Sequence, residues 1–252
     1  MKIYKINKAK LIEESIIHKI SNFIYNLKNK FTNKFKYLSN DDFEIFLNFL
    51  FWHYYKNSKL PKDFLTSKDS KSTVNVLEKI KNNSTKTFPK KLYRGLNFVT
   101  EVDYNKFISD SKKYGISSYY ASSKEISLAS SWSSLKSVAE KFYNKDYFAY
   151  DNAKIGVMLE IDYTDYKPYF LFSMDHLLEN DNEKKEFIKI IFSDEFYKNM
   201  KNISNLKSFK NLDDQKIIGK MHGALFGVIE NEYILLSIPF DKVKITKIDV
   251  RI

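Results

Sequence analysis

Phe88-Pro89-Lys90-Lys91-Leu92-Tyr93-Arg94-Gly95 is where the chain changes texture. Upstream, apolar residues recur at helical spacing. Ile12, Ile16, Ile20, Phe23, Ile24 and Leu27 mark a helix over 8–30. Asn40-Asp41-Asp42 reads as the cap of a second helix carrying Phe43, Ile45, Phe46, Phe49, Leu50 and Trp52. Ser72–Asn82 predicts a third. Downstream the period shortens. Lys91–Gly95 is a short strand candidate stopped by its glycine, and Ile155–Tyr163, Tyr233–Ile238 and Val243–Ile252 alternate like strands. Ser127–Phe142 and Glu183–Phe192 read as helices, and the rest of the stretch between residues 163 and 233 reads as helical and loopy. No polar linker separates the two textures, since Pro89 leads straight into the first strand. The expectation is one α+β domain over 1–252, with a basic helical layer at 1–90 and an α+β core at 91–252.

With 252 residues the chain can bury roughly three quarters of its unfolded surface and needs no staple. It has no cysteine, which excludes disulfides, thiol catalysis and Cys-based metal sites. The histidines, at 18, 53, 176 and 222, are too scattered for a His-rich metal motif, so no metal is expected. The net charge is +11, and residues 1–90 hold 18 Lys against 8 acids. Such a region could track a phosphate backbone, or it could be a lysine-rich solvated face. Only Arg94 and Arg251 are arginine, which singles out positions where a planar fork matters. The basic start is broken by Glu13 and Glu14, so no secretion signal is expected, and no run of 18 apolar residues predicts a membrane span. A cytoplasmic protein is the expectation; delivery into another cell would leave no mark of this kind.

Three patterns carry chemistry. The first is Leu92-Tyr93-Arg94-Gly95, whose guanidinium can hold a phosphate bidentately or make an ordinary ion pair. The second is Tyr119-Tyr120-Ala121-Ser122-Ser123, with Ala129 six and Trp132 nine residues beyond Ser123. Its hydroxyls can orient a ribose or a carboxylate, or simply cap a helix. The third is Glu230-Asn231-Glu232 followed by Tyr233-Ile234-Leu235-Leu236, with Gly219, Gly223 and Gly227 just before it. Side-chain alternation would put both carboxylates on one face of a strand. Paired acids suit a transition state that develops positive charge, such as an oxocarbenium ion.

In this order the three resemble the R-S-E class of mono-ADP-ribosyltransferases, which includes clostridial binary toxins and phage-encoded transferases. That family has an aromatic-Arg on its first core strand and a Ser-Thr-Ser strand followed by a helix with Ala and an aromatic. Its third motif is E-x-E before an apolar run. The resemblance implies a strongly twisted β core with an N-terminal helical layer, and NAD as substrate without a metal. It implies that Arg94, with Tyr93 and Gly95 beside it, holds the NAD phosphates. Ser122 and Ser123 would take the second and third serine-motif positions, and Ala121 stands where the first Ser usually is. Glu232 would be the catalytic glutamate, Glu230 would engage the acceptor, and Phe226 would supply the aromatic ahead of them. A protein arginine is the implied acceptor. The alternatives are nucleic acid, reached through the basic 1–90 region, water in an NAD glycohydrolase, and a catalytically dead binding module.

Overall fold

The computed structural model describes residues 35–43, 45–46, 49, 68–116, 129–144, 152–194 and 227–250. The helix expected over 8–30, together with Ala121, Ser122, Ser123 and Phe226, lies outside them. Two compact units share the chain, Met1–Tyr55 with Asn180–Leu225 and Lys56–Glu179 with Phe226–Ile252.

In the first unit, Phe35, Phe43 and Phe46 pack with ring centroids 5.0 to 6.2 Å apart. The helix that begins at residue 40 is capped by Ser39 rather than by the Asn-Asp-Asp run. The Asp42 amide donates to Ser39 Oγ at 3.0 Å and the Ser39 amide donates to the Asp42 carboxylate at 3.2 Å. This reciprocal box satisfies two amides that a helix start leaves open. Helix Asp181–Ile191 is capped by Asn180, whose side-chain oxygen accepts from the Glu183 amide.

The second unit is a mixed helix-and-sheet arrangement of the expected α+β class. Its elements are α1 (Lys68–Asn83), β1 (Lys91–Phe98), α2 (Glu101–Tyr114), β2 (Ala129–Ser133), α3 (Lys136–Asn144), β3 (Ile155–Asp162), β4 (Phe170–Ser173), β5 (Glu232–Leu236) and β6 (Lys244–Val250). All six strands form one antiparallel sheet in the order β4-β5-β2-β1-β3-β6. One face carries the main core: Leu92, Phe98, Trp132, Leu159, Ile161, Tyr233 and Leu235, with Phe107 of α2 packed on it. On the other face α3 lies over β1 and β3, where Ala139 and Tyr143 meet Met158 and Tyr93.

Three expectations are corrected. Gly95 does not stop β1, which runs on to Phe98. A Cβ built on Gly95 would sit 1.9 Å from the Ala139 carbonyl oxygen and 2.7 Å from the Tyr143 nitrogen. The glycine therefore lets the backbone of α3 rest directly on the strand. The helix expected over Ser127–Phe142 is instead a strand, Ala129–Ser133, and then a helix that starts at Lys136. Serines seldom advertise a strand. Here pairing on both sides and burial of Trp132 override local propensity. The indole Nε1 donates to Ser130 Oγ at 2.8 Å, which satisfies two buried polar groups at once. The third correction is β4, a strand of four buried residues behind Pro168 that was expected to be helix or loop.

His176 lies in this core at 2% exposure, ringed by Phe88, Phe170 and Tyr233. Burial pushes its pKa down to about 4, against the opposing pull of the Asp175 and Glu179 carboxylates. The unfolded chain takes up this proton near pH 6.5, whereas the folded chain refuses it until about pH 4. Stability from this group is therefore complete above pH 6.5 and falls as pH drops through the window, by about 3 kcal/mol in total. Urea unfolding between pH 7 and pH 4.5 should show this loss in the native protein. His176→Leu should flatten it; an unchanged slope would place the pH dependence elsewhere.

Candidate functional site

The three motif-bearing strands are neighbours in the sheet: β1 with Arg94, β2, and β5 with Glu232. β1 and β3 pair without a break from Lys91↔Asp162 to Phe98↔Ile155, and β2 and β5 from Ala129↔Leu236 to Ser133↔Glu232. Between β1 and β2, by contrast, only Tyr93↔Ser133 is paired. The sheet is thus two three-stranded halves, β4-β5-β2 and β1-β3-β6, joined at a one-position seam.

At the seam the register lines up Tyr93, Ser133 and Glu232 on three successive strands. Directly paired residues project to the same face, so these three side chains share one. Ser131 lies on that face as well, two residues back and opposite Ile234. Ser133 is 5% exposed and Glu232 8%. The Ser133 hydroxyl donates to the Glu230 carbonyl at 2.6 Å and accepts from the Leu135 amide at 3.0 Å. One buried hydroxyl thereby fixes both the turn before β5 and the start of α3.

The Glu230–Glu232 stretch differs from the expected strand alternation. Only Glu232 belongs to β5; Glu230 and Asn231 form the preceding turn, and Asn231 has φ of 46°. That left-handed conformation suits Asn among non-glycine residues. The separation of the two carboxylates is therefore set by a turn. Asn231→Ala should cost about 1 kcal/mol, whereas Asn231→Gly should cost nothing or stabilise. Thermal melting of the two variants checks this, and equal melting temperatures would contradict it.

Arg94 is half-buried and pairs with Leu159 one residue beyond this row. By alternation it projects to the opposite face, the one that carries Leu92 and Trp132. The structure therefore brings Tyr93 to Glu232 and Ser133 but does not bring Arg94 into that row. Gly95 lies under α3, as described above. Of the glycines before Glu230 only Gly227 is described, in a helical turn over 227–229.

The chain matches no protein-family model, no curated protein and no solved structure. The geometry and the sequence pattern carry the functional reading by themselves.

That pattern contains a second copy of the serine motif that sequence reading passed over. Ser131-Trp132-Ser133 has Ala139 six residues after its last serine and Phe142 nine residues after it. The offsets equal those from Ser123 to Ala129 and Trp132. Here the serines lie on a strand and the Ala and Phe on the helix that follows it. The signal was legible, but assigning Ser127–Phe142 to one helix concealed it. Among the described residues no group of three or more His, Asp or Glu converges to hold a metal ion, and no helix is long and apolar enough to cross a membrane.

Proposed function

We propose that the protein cleaves NAD at the nicotinamide–ribose bond and transfers ADP-ribose to a macromolecular acceptor, most simply a protein arginine. One observation carries this: the strands bearing Arg94, Ser131-Trp132-Ser133 and Glu232 are adjacent, with β1 joined to β2 at the single pair Tyr93↔Ser133. In this scheme Ser131 and Ser133 take the serine-motif positions, in place of Ser122 and Ser123.

A buried carboxylate at the start of β5 is a fixed negative charge in a medium that screens it poorly. It stabilises a ribosyl oxocarbenium ion more in the transition state than in the ground state, which is what accelerates the step. The C1′–N bond breaks with its electron pair passing to nicotinamide, whose ring positive charge is thereby neutralised. The acceptor nitrogen forms the new bond to C1′ and gives up a proton. Glu230, placed on the turn beside Glu232, takes that proton and orients the acceptor. Tyr93 offers an aromatic face on the same row. Arg94 projects to the other face of the same strand, and in this scheme it braces β1 beside the seam.

Arg94→Lys keeps the charge but loses the planar fork of donors. Loss of charge-assisted bonds of about 1.5–3 kcal/mol corresponds to roughly 10- to 150-fold in rate or affinity. With Arg94 bracing the seam, the melting temperature should fall along with the rate. A fall in rate alone would assign it to phosphate binding only, and no change in either would remove it from the site.

The test of the proposal is nicotinamide release from NAD, with and without cell lysate, together with mass spectrometry of the modified macromolecules. Transfer predicts release that lysate stimulates and an ADP-ribose mass on protein. Release without any transfer would mean a glycohydrolase. Absence of release would leave a binding module.

A further inference from the structure

A cleft of about 540 Å³ opens at the far end of β5, where the chain leaves the strand through Ser237 and Pro239. Four strand residues, Tyr233 to Leu236, lie between Glu232 and the cleft's Ser237, a span of about 16 Å. Its walls carry Lys112, Lys113, Tyr114, Tyr169, Phe240 and Asp241. We propose that this cleft binds a nucleoside phosphate unit, with the base stacked on Tyr114 and the phosphate held by Lys112 and Lys113.

The first argument is the chemistry of the lining. Three aromatic residues, Tyr114, Tyr169 and Phe240, line the cleft, and Tyr114 is 49% exposed. Aromatic platforms beside cations are what a base with an attached phosphate requires. Lys113 Nζ stands over the Tyr114 ring at 4.9 Å, so a cation and the aromatic platform already lie together. Among the described residues Lys112 makes no ion pair. Asp241 offers the acceptor that ribose hydroxyls or an exocyclic amine need, and it disfavours a bare anion.

The second argument is preorganisation. Gly115 has φ of +81°, and a Cβ there would meet Ser237 Oγ at 2.5 Å and the Ile238 oxygen at 2.7 Å. The Ser237 hydroxyl donates to the Tyr114 carbonyl at 2.5 Å, and Ile116 and Ile238 exchange backbone bonds of 2.6 and 3.3 Å. The backbone of Tyr114 is thus fixed by a glycine turn and by a bridge to the segment after β5. With the backbone held, only the side-chain torsions of Tyr114 are left to order when a base stacks on it.

The test titrates adenosine 5′-monophosphate, adenosine, inorganic phosphate and a ten-residue oligoadenylate into the full chain by calorimetry. The monophosphate should bind at least tenfold more tightly than adenosine or phosphate alone. Tyr114→Ala should weaken it at least fivefold. Lys112→Glu, on an exposed side chain, should weaken it similarly and lower its salt dependence. Lys141→Glu, on an exposed side chain of α3 outside this cleft, should leave it unchanged. An oligoadenylate at least tenfold tighter than the monophosphate identifies the natural source as a nucleic-acid strand; equal affinity identifies a free nucleotide. Equal monophosphate affinity in the native protein and both cleft variants would overturn the proposal. So would the absence of monophosphate and oligoadenylate binding at millimolar concentration.

Discussion

Glu232→Gln should lower nicotinamide release from NAD by at least ~100-fold while leaving the melting temperature near that of the native protein. Glutamine is nearly isosteric, so a side chain that is 8% exposed keeps its packing and loses only its charge. Glu230→Gln should behave differently. Its residue lies on the turn and not in β5, outside the row formed by Tyr93, Ser133 and Glu232. Transfer should fall sharply while hydrolysis persists, because water needs less orientation than a protein side chain. Equal loss of both activities in the two variants would show that the carboxylates do not divide the work. Full transfer by Glu232→Gln would remove the residue from the reaction.

Gly95→Val should destabilise the protein by about 3 kcal/mol or more, lowering the melting temperature by roughly 10 °C. The added atoms would meet the Ala139 carbonyl and the Tyr143 amide, which are backbone groups that cannot rotate aside. Relief requires lifting α3 off β1. That would also strain the Asn97 side chain, whose amide donates to the Phe142 carbonyl. Because β1 carries Tyr93 at the seam, any folded fraction of Gly95→Val should also lose activity. An unchanged melting temperature would mean that α3 does not rest on β1.

Much of this was legible in sequence where apolar periodicity was strong. β3 and β5 announce themselves as Ile-Gly-Val-Met-Leu and Tyr-Ile-Leu-Leu, and α1 by Val76, Leu77 and Ile80, all three buried. The α+β class followed from those segments. What failed was the polar strand. β2 spells Ala-Ser-Ser-Trp-Ser, and its stability comes from partners distant in sequence, Tyr93 and the 232–236 strand. No local window contains that information. Gly95 was misread for a related reason: a glycine that ends a strand and one that admits a helix look alike until the helix is in place. The acidic tripeptide was found, but its turn depends on the φ of Asn231, which an expected strand alternation does not reveal. Arg94 was singled out by rarity, whereas its face of the sheet is a matter of register.

The assignment of β2 as the serine strand between Arg94 and Glu232 is tested most directly by measuring nicotinamide release in three proteins. These are the native chain, Ser131→Ala, and the double variant Ser122→Ala with Ser123→Ala. Ser131 is preferred to Ser133 because the latter hydroxyl also holds the Glu230 turn and the start of α3. We expect release by the native chain, at least a tenfold loss in Ser131→Ala, and near-native release in the double variant. Native release by Ser131→Ala with loss in the double variant, or no release by the native chain, would contradict the assignment.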